Sequence, residues 1–222
     1  MIRLDHLCKI FVLNGRRKVV ADDICLDFPT GASIGLLGRN GAGKSTLMNM
    51  ISGNMDPTSG RILSTGTISY PVGFSGSFHG ELTGAQNTRF VARIYGVDTE
   101  ALVEFVEDFA ELGTHFHLPF YTYSSGMKSR LSFGVSMGIP FDTYLVDEVT
   151  SVGDAAFRSK SSAVFKDRMA KSGALFVSHS PAAVRELCDM GAVLEGGKLT
   201  LYDNVVEAID QHEANMAAPA PR

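Results

Sequence analysis

The chain has 222 residues, 45% of them hydrophobic and 20% charged, with a formal net charge of −4. That supplies core material for one large or two small soluble domains, and the acidic balance disfavours a nucleic-acid partner because it leaves no basic footprint for a phosphate backbone. No apolar run approaches the ~20 residues needed to span a bilayer, and Met1-Ile2-Arg3-Leu4-Asp5 does not open a signal peptide, so any membrane role must pass through a partner.

Residues 2–13 and 19–28 alternate apolar and polar positions, through Ile2 and Leu4 and then Val20, Ile24, Leu26 and Phe28. With Asn14-Gly15 between them they predict two antiparallel strands joined by a turn. Phe11 lies near the end of the first, where an aromatic face can stack on a base or simply pack into the core. Cys8, Cys25 and Cys188 are odd in number and form no CxxC pair, so they read as reduced core thiols without metal-ligand spacing.

The short apolar run Ile34-Gly35-Leu36-Leu37 leads into Gly38-Arg39-Asn40-Gly41-Ala42-Gly43-Lys44-Ser45-Thr46 and then Leu47-Met48-Asn49-Met50-Ile51. Strand, glycine-rich turn and helix start in that order fit the P-loop pattern. Gly38, Gly41 and Gly43 let the backbone take positive φ so that consecutive N–H groups can face an anion, with Asn40 among the residues of that nest, and the helix dipole adds to that field. Lys44 is placed for the β- and γ-phosphates, Ser45 for Mg²⁺ and Thr46 for the α-phosphate.

Downstream, Asp56-Pro57-Thr58-Ser59-Gly60 is a turn, followed by short strands at residues 61–63 and 67–70. The glycine-rich stretch 71–84 predicts a flexible loop. Helical periodicity then covers residues 83–95, 99–112 and 125–138, giving a helical insert over about residues 83–138. Thr143-Tyr144-Leu145-Val146-Asp147-Glu148 is a buried strand ending in two acids, where a doubly wound sheet places its ligands. Asp147 can hold a water on Mg²⁺ and Glu148 can polarise an attacking water. Phe176-Val177-Ser178-His179 repeats that arrangement, with His179 in reach of a γ-phosphate. A Ser178–His179–Asp147 hydrolase triad is the other chemical reading, but no G-x-S-x-G elbow accompanies it. Strands at residues 192–194 and 198–201 and a helix from Asn204 to about His212 finish the fold. Residues 217–222 predict a disordered tail, leaving residues 1–216 as the domain.

These motifs together resemble the nucleotide-binding domain of ABC (ATP-binding cassette) proteins. Phe11 matches the adenine-stacking aromatic, Gly38 to Thr46 the Walker A loop, Tyr123-Ser124-Ser125-Gly126-Met127 the signature, and Leu145-Val146-Asp147-Glu148 Walker B. Ser151-Val152-Gly153-Asp154 matches the D-loop and His179 the switch histidine. Two departures stand out: only Ser124 and Gly126 keep the usual signature pattern, with Arg130 at the family's arginine position, and Gly73 stands where the family has a glutamine. His79 and Glu81 are the nearby candidates to replace that glutamine. These variants are similar to the ATP-binding subunits of bacterial capsular-polysaccharide exporters, and the early C-terminus fits the short capsule type better than the O-antigen type.

The resemblance implies an α/β P-loop ATPase with a mostly parallel core sheet, an N-terminal antiparallel part and a helical insert. It implies ATP and Mg²⁺ as ligands, with Glu148 as base and Ser45 and Asp147 toward the metal. It also implies a head-to-tail homodimer in which Ser124 and Gly126 act in trans, and Asp154 lies beside the shared nucleotide. A separate integral membrane permease would be gripped by residues 72–95 at the cytoplasmic face of the inner membrane, moving a polysaccharide that this subunit handles only indirectly. Rival readings are a drug or lipid exporter, a soluble ABC ATPase and a GTP-dependent switch, the last lacking an Asn-Lys-x-Asp stretch.

Overall fold

A computed structural model describes residues 1–73, 76, 78–147, 155–178 and 180–218. The chain divides into two compact units, one made of Met1–Pro71, Phe141–Glu148 and Lys171–Arg222, the other of Val72–Pro140 and Val149–Ala170.

The first unit is built on two sheets. β1 (Ile2–Leu13), β2 (Arg16–Phe28) and β4 (Ser59–Ser64) form an antiparallel sheet in the order β2-β1-β4. The second sheet has the order β5-β6-β7-β3-β8-β9, from β3 (Ser33–Leu37), β5 (Ile68–Pro71), β6 (Thr143–Asp147), β7 (Gly173–Val177), β8 (Met190–Glu195) and β9 (Lys198–Tyr202). Its ladders are parallel except β8–β9, which close as a hairpin. β3 and β7 are buried along their whole length, as strands covered on both faces must be, and so read as continuous apolar runs. Helix α1 (Lys44–Ile51) leaves β3 through the glycine-rich turn. Leu47, Met48, Met50 and Ile51 of α1 join Ile2, Leu4 and Leu7 of β1 and Leu145, Leu175 and Leu194 of the second sheet in one apolar core. Burying a side chain of this size contributes roughly 1.5–3 kcal/mol, so this shared core fixes α1 and its preceding turn against both sheets.

The second unit is helical. α2 (Gly84–Tyr95) opens on a capping box between Thr83 and Gln86 and ends at Gly96, whose φ of 66° allows the left-handed cap. α3 (Thr99–Ala110) is capped by the Asp98 carboxylate, which accepts from the Ala101 N–H. α4 (Ser125–Gly138) follows two short 3₁₀ turns, and α5 (Ala155–Met169) completes the unit. Phe109 of α3 stacks on Phe133 of α4 and meets Phe157 of α5 edge-on. Gly134 and Gly138, one turn apart on α4, let α3 approach so closely that a Cβ at Gly138 would strike Leu102 and Phe105.

In the first unit, α6 (Pro181–Leu187) and α7 (Val205–Ala217) follow β7 and β9 respectively. The sequence pattern predicts neither α5 nor α6, and α7 continues past His212. α3 stops at Ala110 because Glu111 turns left-handed at φ 51°. The thiols differ from expectation: Cys188 alone is buried, Cys8 is half-buried and Cys25 is exposed, because β1 and β2 point alternate positions to solvent. Burial pushes the Cys188 thiol up to about 12, with Asp189 adding to the effect, so it is inert.

The glycine-rich stretch is also more ordered at its end than composition suggests. Asn87 is fully buried; its Oδ1 accepts from His79 N–H at 2.9 Å, and its Nδ2 donates to the carbonyls of His79, Leu82 and Thr83 at 3.1–3.2 Å. One amide on α2 thus ties down residues 79–83. Among the described residues no helix is long and apolar enough to cross a membrane.

Candidate nucleotide site

The site lies in the first unit, at the carboxyl ends of β3, β6 and β7. A cavity of about 600 Å³ is lined by Phe11, Lys18, Val20, Asn40, Gly41, Gly43, Lys44, Ser45, Thr46, Asp147 and Val177. One wall is the turn between β3 and α1, a second comes from β1 and β2, and the floor is formed by the last residues of β6 and β7.

The turn takes its shape from local geometry. Gly43, the residue before α1, has φ 112°, and a Cβ there would run into the Val20 side chain. Only glycine fits a backbone held left-handed and pressed against a strand. The Ala42 N–H donates to the Arg39 carbonyl at 3.0 Å, and α1 starts with the Leu47 N–H donating to the Gly43 carbonyl. The first N–H groups of α1 are therefore left for a ligand, at the end where the helix dipole is positive.

Lys44 is buried, and its ammonium donates to the Gly38 carbonyl at 2.6 Å and the Arg39 carbonyl at 3.2 Å. It bridges the turn from inside. Its charge acts beyond the cavity: burial first, and then Lys44, hold the His212 imidazole below the ordinary value, with Arg39 acting the same way and Glu195 and Glu213 opposing. Arg39 points outward and donates to the carbonyls of Asn215 and Ala218 at 2.9 and 3.2 Å, at the C-terminal end of α7.

Phe11 pairs directly across the sheet with Lys18, and the Lys9 ammonium lies 5.1 Å from its ring centre. The ring is half-buried on the cavity wall, not in the core. Lys18, Val20 and Val177 are cavity residues that motif reading missed. Strand alternation carries the signal for Lys18, since it shares a face with Val20 two residues on.

Ser45 and Asp147 both line the cavity, the hydroxyl from the first turn of α1 and the carboxylate from the end of β6. An all-oxygen pair of this kind suits a small hard dication that keeps most of its waters. Glu148, Asp154 and His179 lie outside the described residues, as does the tail from residue 219. Gly38 reaches the cavity only through its carbonyl bond to Lys44.

Ser124 and Gly126 belong to the second unit. Ser124 caps α4, its hydroxyl accepting from the Met127 N–H at 3.3 Å, which leaves the O–H free to donate. Tyr123 before it is buried and donates to the His115 carbonyl at 2.6 Å. Arg130, one turn further along α4, lies over the Phe157 ring at 4.5 Å. Gly73, at φ 81°, donates its N–H to the Ser136 hydroxyl at 3.3 Å.

The family described as ABC transporter matches residues 21–151. The polysialic acid transport ATP-binding protein KpsT of Escherichia coli is 47% identical over 96% of this chain and 96% of its own length. The capsule polysaccharide export ATP-binding protein CtrD of Neisseria meningitidis serogroup B is 42% identical over 96% and 99%. A solved ATP-binding subunit of an ABC transporter superposes with a TM-score of 0.79 at 20% identity, over 98% of this chain and 95% of that one, which carries the fold. With the P-loop, Asp147 and the antiparallel wall around one cavity, the chain belongs to the ABC transporter family as one of its ATP-binding, ATP-hydrolysing subunits, closely related to the capsular polysaccharide export ATPases.

Proposed function

We propose that this subunit powers export of a capsular or related cell-surface polysaccharide through a separate integral membrane permease, at the cytoplasmic face of the inner membrane. The observation that carries the reading is the cavity itself, a space of about 600 Å³ lined by a buried Lys44, the acid Asp147 and the aromatic Phe11. The relatives named for polysialic acid transport and capsule polysaccharide export support the cargo.

In this reading Phe11 stacks on the adenine, while the N–H groups of Asn40, Gly41, Gly43 and Thr46 and the carbonyl-held Lys44 surround the phosphates. Mg²⁺, when bound, offsets charge on the β- and γ-phosphates. Ser45 would hold it by the hydroxyl and Asp147 through a water. Glu148 takes the proton of the attacking water, and His179 donates to the γ-phosphate and orients that water. The partner copy of the chain offers the start of α4, with the Ser124 O–H and the N–H of Gly126, to the same nucleotide, and Asp154 borders it. A two-fold axis makes both sites of such a homodimer identical. Loss of the γ-phosphate removes charge that held the copies together, and they part.

The mechanical output needs a surface. α2 leaves Phe90, Ile94 and Tyr95 exposed, at 49%, 60% and 39% of their surface. That is apolar area in the 72–95 stretch proposed to grip the permease. The test is replacement of the native chain by Lys44→Ala in the source cell, with ATP affinity measured in parallel. Charge-assisted hydrogen bonds are worth ~1.5–3 kcal/mol each, so affinity should fall by at least ~10-fold and surface polysaccharide should be lost. Unchanged affinity with unchanged turnover overturns the site, and lost turnover with normal polysaccharide overturns the cargo.

A further inference from the structure

We propose that the exposed side of the N-terminal sheet carries a transition-metal site, in which His6, Asp23 and Cys25 ligate a dication of the zinc type. The three residues come from the two paired strands β1 and β2, so no sequence spacing announces them. His6 Nδ1 lies 2.8 Å from Asp23 Oδ1, and one ligand atom from each of the three residues lies within 4.8 Å of the others. Imidazole nitrogen, thiolate and carboxylate are the donor set that zinc accepts, at bond lengths of about 2.0–2.3 Å.

The strands are bent to make this meeting. The β1–β2 pairing shifts register on both sides of Leu7, and His6 and Asp23 both adopt left-handed backbone, at φ 51° and 54°. Such conformations are uncommon for residues other than glycine, and bulges re-aim the side chains they carry. The Cys25 sulfur is held beside His6 by the backbone, the His6 N–H donating to Cys25 Sγ at 3.3 Å.

Closing the ligands around an ion costs little. The His6 and Asp23 side chains are 72% and 60% exposed, and an ion pair so exposed is worth little when it is given up. Three protein ligands leave a fourth position for water or a partner group. The bound ion clips β1 to β2, the strands that carry Phe11, Lys18 and Val20 into the cavity.

The test is Co²⁺ titration of the nucleotide-free full chain in magnesium-free buffer, with Zn²⁺ as competitor. One equivalent should bind with a sulfur-to-cobalt charge-transfer band, which an ion held by Ser45 and Asp147 cannot give. Cys25→Ser should abolish the band and Cys188→Ser should leave it. His6→Asn and Asp23→Asn keep a residue that tolerates left-handed backbone, and should weaken binding by at least the ~10–100-fold that loss of an outer-shell partner costs. Absence of a thiolate band, its survival in Cys25→Ser, or unchanged affinity in His6→Asn overturns the site.

Discussion

Replacing Gly43 by alanine places a Cβ against the Val20 side chain at a backbone φ of 112°. Two separable penalties follow. Holding a non-glycine residue in that region costs ~1–3 kcal/mol. Forcing an extra carbon against a side chain that is only 3% exposed costs a further ~1–3 kcal/mol. Against a native stability of ~5–15 kcal/mol, the sum is large enough to read directly. Val20→Ala alone removes two carbons, or ~1.6 kcal/mol at ~0.8 kcal/mol each. In the double variant the collision is gone and the backbone cost remains, so the two changes should couple favourably by ~1–3 kcal/mol. The chain has no tryptophan, so urea unfolding is followed by far-ultraviolet circular dichroism, with a constant slope required before midpoints are compared. Additivity within ~0.5 kcal/mol would show that Gly43 and Val20 do not press on each other. An alanine variant as stable as the parent would show that the turn does not need its left-handed glycine.

Glu148→Gln should leave ATP binding intact, lower turnover by ~10²–10⁴-fold and trap a dimer in size-exclusion chromatography; hydrolysis at the parent rate removes Glu148 from the role of base. Asn87→Ala should cost ~1–3 kcal/mol per carbonyl or amide left unpaired and speed hydrogen exchange at residue 79, whose N–H the Asn87 carbonyl accepts; unaltered exchange there refutes the tether. His212, held below its ordinary 6.5 by burial and Lys44, stays neutral while the unfolded chain takes up a proton, so its contribution is full above pH 6.5 and is lost as pH falls toward the folded value. His6, raised by Asp23, has the opposite sign, contributing below pH 6.5 and losing that contribution as pH rises through its folded value. His212→Gln should therefore flatten the decline in melting temperature just below pH 6.5, and an unchanged acid limb refutes the assignment.

The parts of the fold legible in the sequence are those in which local chemistry and final position agree. The turn from Gly38 to Thr46 declares itself because glycine, lysine and hydroxyl spacing is set by one ligand. α2 and α4 declare themselves by apolar periodicity and by caps at Thr83 and Ser124. α5 does not, because its inward positions are Phe157, Ser161 and Phe165, and a buried serine breaks the apolar stripe. That serine donates to the Phe157 carbonyl at 2.8 Å, so its polarity is satisfied within the helix and leaves no trace in the pattern. Asn87 is hidden for the same reason: a buried amide with every bond made looks, in sequence, like a solvated one. The group of His6, Asp23 and Cys25 depends on which positions two strands bring together, and the bulges around Leu7 remove the simple alternation that would have placed it.

The charges around the turn from Gly38 to Thr46 explain why so glycine-rich a segment holds its shape. Arg39 is spent on the carbonyls at the end of α7, where the helix dipole is negative, and this ties the outer side of the turn to the C-terminal helix. Lys44 spans the inner side through the Gly38 and Arg39 carbonyls. On the proposed function, a triphosphate entering the cavity would meet an ammonium that is already desolvated and oriented, and would exchange neutral carbonyl oxygens for charged ones, which make the stronger hydrogen bond. Little ordering remains to be done at the moment of binding, and that is the cost that otherwise erodes affinity. The same layout predicts where nucleotide state is first felt within this unit. Any pull on Lys44 acts on the Gly38 and Arg39 carbonyls, and through the Arg39 side chain on the last turn of α7, so that helix end should lose or gain hydrogen-exchange protection on ATP addition, in step with Lys44 and not in Lys44→Ala.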